Sequence, residues 1–164
     1  MYESHFGLAG LPFQLSPDAS FFYGSEVHQR ALEGLRTALA GPAACVVVSG
    51  PIGAGKTTLM HAVLADAAFA QTVVAKVLST QLEAQELLEA AAIAFGLSAE
   101  AGPASGTAAG QQRLGDHLKA IAQRGARALL VVDEAQNLKA DALVPLFELV
   151  RHCGAAELPL QLCL

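Results

Sequence analysis

An α/β fold, a parallel sheet with helices on both faces, is what this sequence predicts, and three observations predict it. Short apolar runs alternate with segments of helical periodicity. The first of those runs, Cys45-Val-Val-Val-Ser49, is β-branched and lacks the polar alternation of a half-exposed strand, as expected of a parallel strand covered on both sides. A Gly-rich turn then joins that run to a helical segment.

The elements follow in order. Residues 1–24 are irregular, with Pro12, Pro17 and Gly24 as punctuation and aromatics at Phe6, Phe13, Phe21, Phe22 and Tyr23. Ser25 is placed to cap a helix with Glu26 in its first turn, and Val27, Ala31, Leu32, Leu35 and Leu39 recur at helical spacing before Gly41-Pro42. After the strand at 45–49 and its turn, a helix is expected over about 56–68, then a strand over Thr72–Leu78. Leu88, Ala91, Ala92 and Phe95 mark a helix that stops at Gly96, and 98–109 is a loop of small residues. Leu114, Leu118 and Ile121 define a further helix ended near Gly125, and Ala128–Val132 is a buried strand. A helix from Asp141 to about His152 should turn Leu143, Leu146, Phe147 and Val150 inward, although Pro145 should remove one backbone bond or delay its start. Leu158–Leu164 reads as a fourth strand.

At 164 residues the chain is one domain's worth, 53% hydrophobic and only 15% charged, which excludes disorder. A net charge of −5 argues against a surface devoted to nucleic-acid phosphates. The N-terminus has an acid where a secretory leader carries Lys or Arg, and the uncharged stretch between Arg36 and Lys56 is interrupted by Gly and Pro. A cytoplasmic protein with no transmembrane segment is therefore expected. Cys45, Cys153 and Cys163 form no C-x-x-C pair and are read as reduced, buried thiols.

Gly50-Pro-Ile-Gly-Ala-Gly-Lys-Thr57 fits G-x-x-x-x-G-K-[ST] at every fixed position, with a strand before it and a helix after it. The glycines let successive N–H groups point into one concavity around phosphates, and the helix adds its positive end. Gly50, Pro51, Ile52, Gly53, Ala54, Gly55, Lys56, Thr57 and Thr58 are thus the candidate phosphate-binding residues. Lys56 would reach the β/γ oxygens, and the Thr57 hydroxyl would ligate Mg²⁺. Leu129-Leu-Val-Val-Asp-Glu134 has the form of a strand ending in the second half of such a site. Asp133 would hold the Mg²⁺ hydration shell, and Glu134 would polarise the attacking water. A water-activating Glu suits hydrolysis better than kinase chemistry. Guanine specificity would need N-K-x-D, which Asn137-Leu-Lys-Ala-Asp141 misses in spacing, so ATP is the expected nucleotide.

Other candidates read as structural. The five histidines show no metal-ligand spacing, although His28 lies beside the aromatic leader expected to cover the base. Ser49 is a turn residue, and no Ser-His-Asp arrangement can be read. Arg113, Arg124, Arg127 and Arg151 are read as solvated surface charges, and Gln136 and Asn137 as exposed loop residues.

The opening Met-Tyr-Glu-Ser-His-Phe-Gly-Leu, the stretch Leu-Pro-Phe-Gln-Leu-Ser-Pro-Asp-Ala-Ser-Phe-Phe-Tyr23, then His28-Gln-Arg-Ala-Leu32, resemble the leader of the general secretion pathway protein A family of AAA+ ATPases. Val132-Asp-Glu-Ala-Gln-Asn-Leu138 is similar to that family's Walker B region. The resemblance implies an additional-strand P-loop NTPase fold with sheet order 5-1-4-3-2, the fourth strand inserted between the first and third. It implies ATP-driven work as a homo-oligomer on a protein partner of a secretion, pilus or exopolysaccharide system, with adenine held partly by the leader. On this reading residues 1–40 are a leader and first helix, and 41–164 an ATPase core truncated after its fourth strand, without sensor, arginine finger, fifth strand or lid. Such a chain alone should bind ATP and hydrolyse it weakly or not at all. The alternatives are a DNA-linked ATPase (a transposition helper or helicase relative), less favoured because of the acidic charge, and a non-hydrolysing nucleotide-binding adaptor. No L-S-G-G-Q signature of an ABC transporter is present.

Overall fold

The structure is a computed structural model that describes residues 2–8, 22–78, 81–98, 106–155 and 160–164. The leader residues Pro12, Phe13, Pro17 and Phe21, most of the small-residue loop and the first part of the fourth predicted strand lie outside the described residues. The chain divides into two compact units, one made of 1–37 and 49–70, the other of 38–48 and 71–164.

The larger unit holds the sheet. Strands β1 (Cys45–Val46), β2 (Thr72–Leu78), β3 (Arg127–Asp133) and β4 (Leu160–Cys163) are all parallel, in the order β1-β4-β3-β2. The fourth strand is therefore inserted between the first and third. β2 and β3 pair over seven residues, from Thr72↔Arg127 to Leu78↔Asp133. Helices α4 (Ala84–Ala94), α5 (Thr107–Gln123) and α6 (Ala140–Ala155) pack on one another and on β2, β3 and β4. The β2-to-β3 and β3-to-β4 crossovers step the same way across the sheet, so right-handed connections carry these helices to one face. This is the predicted parallel sheet with helices, and Leu87, Leu114, Leu118, Leu130, Val132, Leu146 and Leu162 are its fully buried centre. Each such side chain contributes roughly 1.5–3 kcal/mol of apolar burial.

Local chemistry sets the ends. Glu83 caps α4 in a reciprocal box with Glu86, whose Oε2 accepts the Glu83 N–H at 2.8 Å. Pro145 lies inside α6, which starts at Ala140 regardless, and its carbonyl accepts Gln111 Nε2 at 2.9 Å. Across the opposite ends of the strands, Arg127 donates to the carbonyls of Leu39 (2.8 Å) and to Gln161 Oε1 (2.8 Å). Gln161, buried in the central strand, donates in turn to the carbonyls of Gly41 and Ala43 at 3.1 and 2.9 Å. Arg127 is thus half-buried and bonded, not the solvated charge expected, and Arg113 is likewise half-buried on the Ser98 carbonyl.

Four further expectations need correction. Within the leader read as irregular, Tyr2–Phe6 forms a short helix, α1. The first strand is assigned only to Cys45–Val46, and Val47 is 67% exposed. Its hydrogen bonds nevertheless run from the Ala44 carbonyl to the Val48 N–H, which donates to Leu164 at 2.8 Å. Val27 and Phe147 face outward, because Leu35 and Leu39 carry the burial of α2 (Glu26–Ala40), and Ala142, Leu146, Leu149, Val150 and Cys153 carry that of α6. A helical stripe is about 100° wide, and the sequence periodicity admitted residues beyond it, Val27 and Ala31 on α2 and Phe147 on α6. The predicted helix at 56–68 is α3 (Lys56–Leu64) followed by a 3₁₀ turn at Ala67–Phe69, whose first amides are capped by Asp66 accepting Ala68 N–H at 3.0 Å.

The thiols are free and behave as packing groups. Cys153 and Cys163 are buried and Cys45 is half-buried. Burial raises all three thiols, and burial with the nearby charges of Cys45 and Asp133 pushes Cys163 up to about 12. Among the described residues no helix is long and apolar enough to cross a membrane.

Candidate functional site

The candidate residues fall into two sets, one in each compact unit. In the smaller unit β-branched residues give way after Val48 to Gly50-Pro-Ile-Gly-Ala-Gly55, and α3 starts at Lys56. Gly53 and Gly55 both sit at φ +78°, the left-handed region that a Cβ makes costly. A turn forms between them and the strand, with Ala54 N–H donating to the Pro51 carbonyl at 3.2 Å. Gly55 is the N-cap of α3 and makes no side-chain cap bond to the helix's first turn. Lys56 curls back over the loop, its Nζ donating to the carbonyls of Gly50 and Pro51 at 3.1 and 3.2 Å. Ile52, at the tip, is fully exposed.

His28 meets this loop from α2. Its Nε2 lies 3.1 Å from the Ala54 carbonyl and its Nδ1 2.6 Å from Ser25 Oγ. Ser25 caps α2 as the sequence predicts, its hydroxyl also reached by the His28 N–H at 3.4 Å. Phe22 packs edge-on against the imidazole, with ring centroids 5.9 Å apart. Sequence reasoning placed His28 near the leader; its bond to the phosphate loop carried no signal beyond the Ser25-x-x-His28 spacing.

In the larger unit, five buried residues of β3 deliver Asp133 and then Glu134 at the strand's C-terminal end. Asp133 is half-buried and its Oδ1 accepts the Glu134 N–H at 2.9 Å. Glu134 is exposed and takes φ 55°, ψ 34°, left-handed without being glycine. Gln136 is the exposed loop residue expected, and it donates its amide to Glu134 Oε2. Lys139 closes the same turn onto Glu83 at 2.5 Å, and that carboxylate raises the Lys139 pKa. The turn thus uses side chains to hold its two acids at a strand terminus. Among the described residues no group of three His, Cys, Asp or Glu side chains is placed to hold a metal ion.

A loop of backbone amides at an uncapped helix start, with an ammonium folded over it, has the chemistry of a phosphate cradle, and the AAA domain family matches residues 39–164. The chain belongs to the AAA domain family. It is also 34% identical over 138 residues to the General secretion pathway protein A of Aeromonas hydrophila. That alignment takes in 84% of this chain but 25% of the relative, so the AAA chain spans about a quarter of that protein's length. No solved structure matches. Family membership makes this an ATP-binding, P-loop type of AAA module.

Proposed function

We propose that this AAA module binds ATP with Mg²⁺ at the Gly50–Thr58 loop and hydrolyses it with Asp133 and Glu134, as a part of a larger, oligomeric assembly. The observation that carries the reading is the loop itself. Two glycines at φ +78° and an α3 start without a side-chain cap leave amides for phosphate oxygens, and the Lys56 ammonium, 3.1 Å from the Gly50 carbonyl, is positioned to add a charge.

The residues present fit the nucleotide and its metal. Gly50, Pro51, Ile52, Gly53, Ala54 and Gly55 would enclose the phosphates with their backbone, and Thr58 would add its first-turn amide. Lys56 would exchange a loop carbonyl for the β/γ oxygens and stabilise charge there as the terminal bond breaks. The Thr57 hydroxyl and the Asp133 carboxylate are hard oxygen donors, the set that Mg²⁺ takes. Mg²⁺, when bound, neutralises charge on the β- and γ-phosphate oxygens. Glu134 would accept a hydrogen bond from the attacking water and take its proton as the oxygen closes on the γ-phosphorus. The match of one AAA domain to residues 39–164, which takes in both the loop and the acid turn, supports assigning both to one reaction.

Similarity to a general secretion pathway protein supports a partner in a secretion system, with residues 1–40 as a leader that covers the base and 41–164 as the ATPase core. The assembly on this reading is cytoplasmic and homo-oligomeric. Glu134→Gln is the test of the chemistry. In the full-length protein the variant should bind Mg²⁺-ATP within about twofold of the parent while single-turnover hydrolysis falls at least about 100-fold. Undiminished hydrolysis would remove Glu134 from the mechanism.

A further inference from the structure

We propose that His28 is a positioning residue of the phosphate loop, holding the Ala54–Gly55 peptide in the orientation that presents the Gly55 amide to phosphate. The inference rests on the reading of the loop as an ATP site, and extends it to a residue outside the motif.

A carbonyl oxygen only accepts, so the 3.1 Å contact between His28 Nε2 and the Ala54 carbonyl requires the hydrogen on Nε2. In the neutral ring Nδ1 is then an acceptor, and the partner at 2.6 Å is a hydroxyl, Ser25 Oγ, able to donate. The hydroxyl keeps a lone pair for the His28 N–H. One tautomer therefore satisfies every bond around the imidazole, and the edge-on Phe22 ring limits its rotation.

The peptide bond carries this to the loop. It is planar and trans, so its C=O and N–H point in opposite directions. Drawing the Ala54 oxygen toward α2 turns the Gly55 N–H the other way. Ala54's own N–H is committed to the Pro51 carbonyl, so the adjoining amide is the one this bond can aim. At Gly55 the constraint is the backbone, φ +78°, since a Cβ there would make only an ordinary 3.5 Å contact with Nε2. His28 is the third residue of α2, so the start of that helix and the loop share one hydrogen-bonded chain, Ser25 to His28 to Ala54.

The test is calorimetric titration with Mg²⁺-ATP of the wild-type chain, Lys56→Ala, and His28→Ala, His28→Gln and His28→Asn, with thermal unfolding of each. His28→Ala should bind about tenfold more weakly, the effect of one lost, well-placed hydrogen bond. Glutamine's amide can reach the Ala54 oxygen, as Nε2 does, and should recover binding to within about threefold. Asparagine's amide stops at the level of Nδ1 and should not. A role confined to helix stability predicts affinities that track unfolding temperature, with no such split. Should His28→Ala fail to fold, the Gln and Asn pair still decides: equal affinities overturn the proposal. Wild-type affinity in all three His28 variants, with binding lost in Lys56→Ala, overturns the role of His28 and leaves the ATP site standing. No binding by the wild-type chain, or unchanged binding by Lys56→Ala, overturns both. In the ligand-free chain, ¹⁵N spectra should show His28 as the Nε2–H tautomer, and the Nδ1–H form would contradict the proposal directly.

Discussion

The phosphate loop and the acid turn solve the same problem with different materials. Both use backbone in the left-handed region on the way from a strand to the next helix. The loop takes it twice with glycine, at Gly53 and Gly55, where the conformation is nearly free of steric cost. The acid turn takes it at Glu134, a residue with a Cβ, at a cost on the order of 1–2 kcal/mol. The loop's polar contacts run from side chains to backbone carbonyls, Lys56 to Gly50 and Pro51, His28 to Ala54. The acid turn is held largely by other side chains: Asp133 on the Glu134 N–H, Gln136 on the Glu134 carboxylate, Lys139 on Glu83. The loop is built to offer backbone; the turn is built to offer one carboxylate, and tolerates strain where a glycine could not supply it.

Exchanging the materials should break each region in its own way, and the largest effect belongs to the loop. With Gly53→Ala and Gly55→Ala combined, each β-carbon costs about 1–2 kcal/mol at φ +78°. Mg²⁺-ATP affinity measured by calorimetry should fall at least about thirtyfold. An unchanged affinity would mean that the left-handed loop is not the binding form.

The converse change sharpens the comparison. Glu134→Gly should relieve the strained residue and stabilise the fold by about 1 kcal/mol, raising the unfolding temperature by roughly 2–4 °C. It should also abolish hydrolysis. Calorimetric unfolding of Glu134→Gly beside Glu134→Ala separates relief of strain from loss of the carboxylate, because only glycine restores an unstrained φ. A Glu134→Gly variant no more stable than Glu134→Ala would show that the turn stores nothing.

The smallest expected effect reads the charge beside the acid turn. Folding holds the Cys163 thiol protonated up to about pH 12, against an ordinary value of 9.0. The unfolded chain ionises first as pH rises, so this contribution is intact below about pH 9 and is lost progressively toward pH 12. By pH 10 the loss should be about 1.4 kcal/mol. Denaturant titrations at pH 7 and pH 10 should show it, and Cys163→Ala should flatten that dependence. An equal slope in both chains would place the Cys163 thiol in a wetter setting than its burial indicates.

The same contrast explains what could be read in the sequence. The loop's conformation was legible because it is written in backbone: glycine spacing marks the positive-φ positions Gly53 and Gly55 and the start of α3 without reference to distant residues. The strands were legible for a similar reason, since Thr72–Leu78 and Arg127–Asp133 are local runs of β-formers. Contacts that depend on side chains brought from elsewhere were not. Arg127 looks like a surface charge until the sheet order sets Gln161 beside it and the Leu39 carbonyl within reach. Gln136 looks like loop polarity until Glu134 turns left-handed and brings its carboxylate back. Phe147 was misplaced because periodicity fixes a helix stripe but not its edges.

The central claim is that the Gly50–Thr58 loop is an ATP site, and calorimetric titration of the wild-type chain and Lys56→Ala with Mg²⁺-ATP tests it most directly. The account predicts one saturable site in the wild type and at least a hundredfold weaker binding in Lys56→Ala, about 2.7 kcal/mol for the lost ammonium. Equal affinity in the two chains would contradict it.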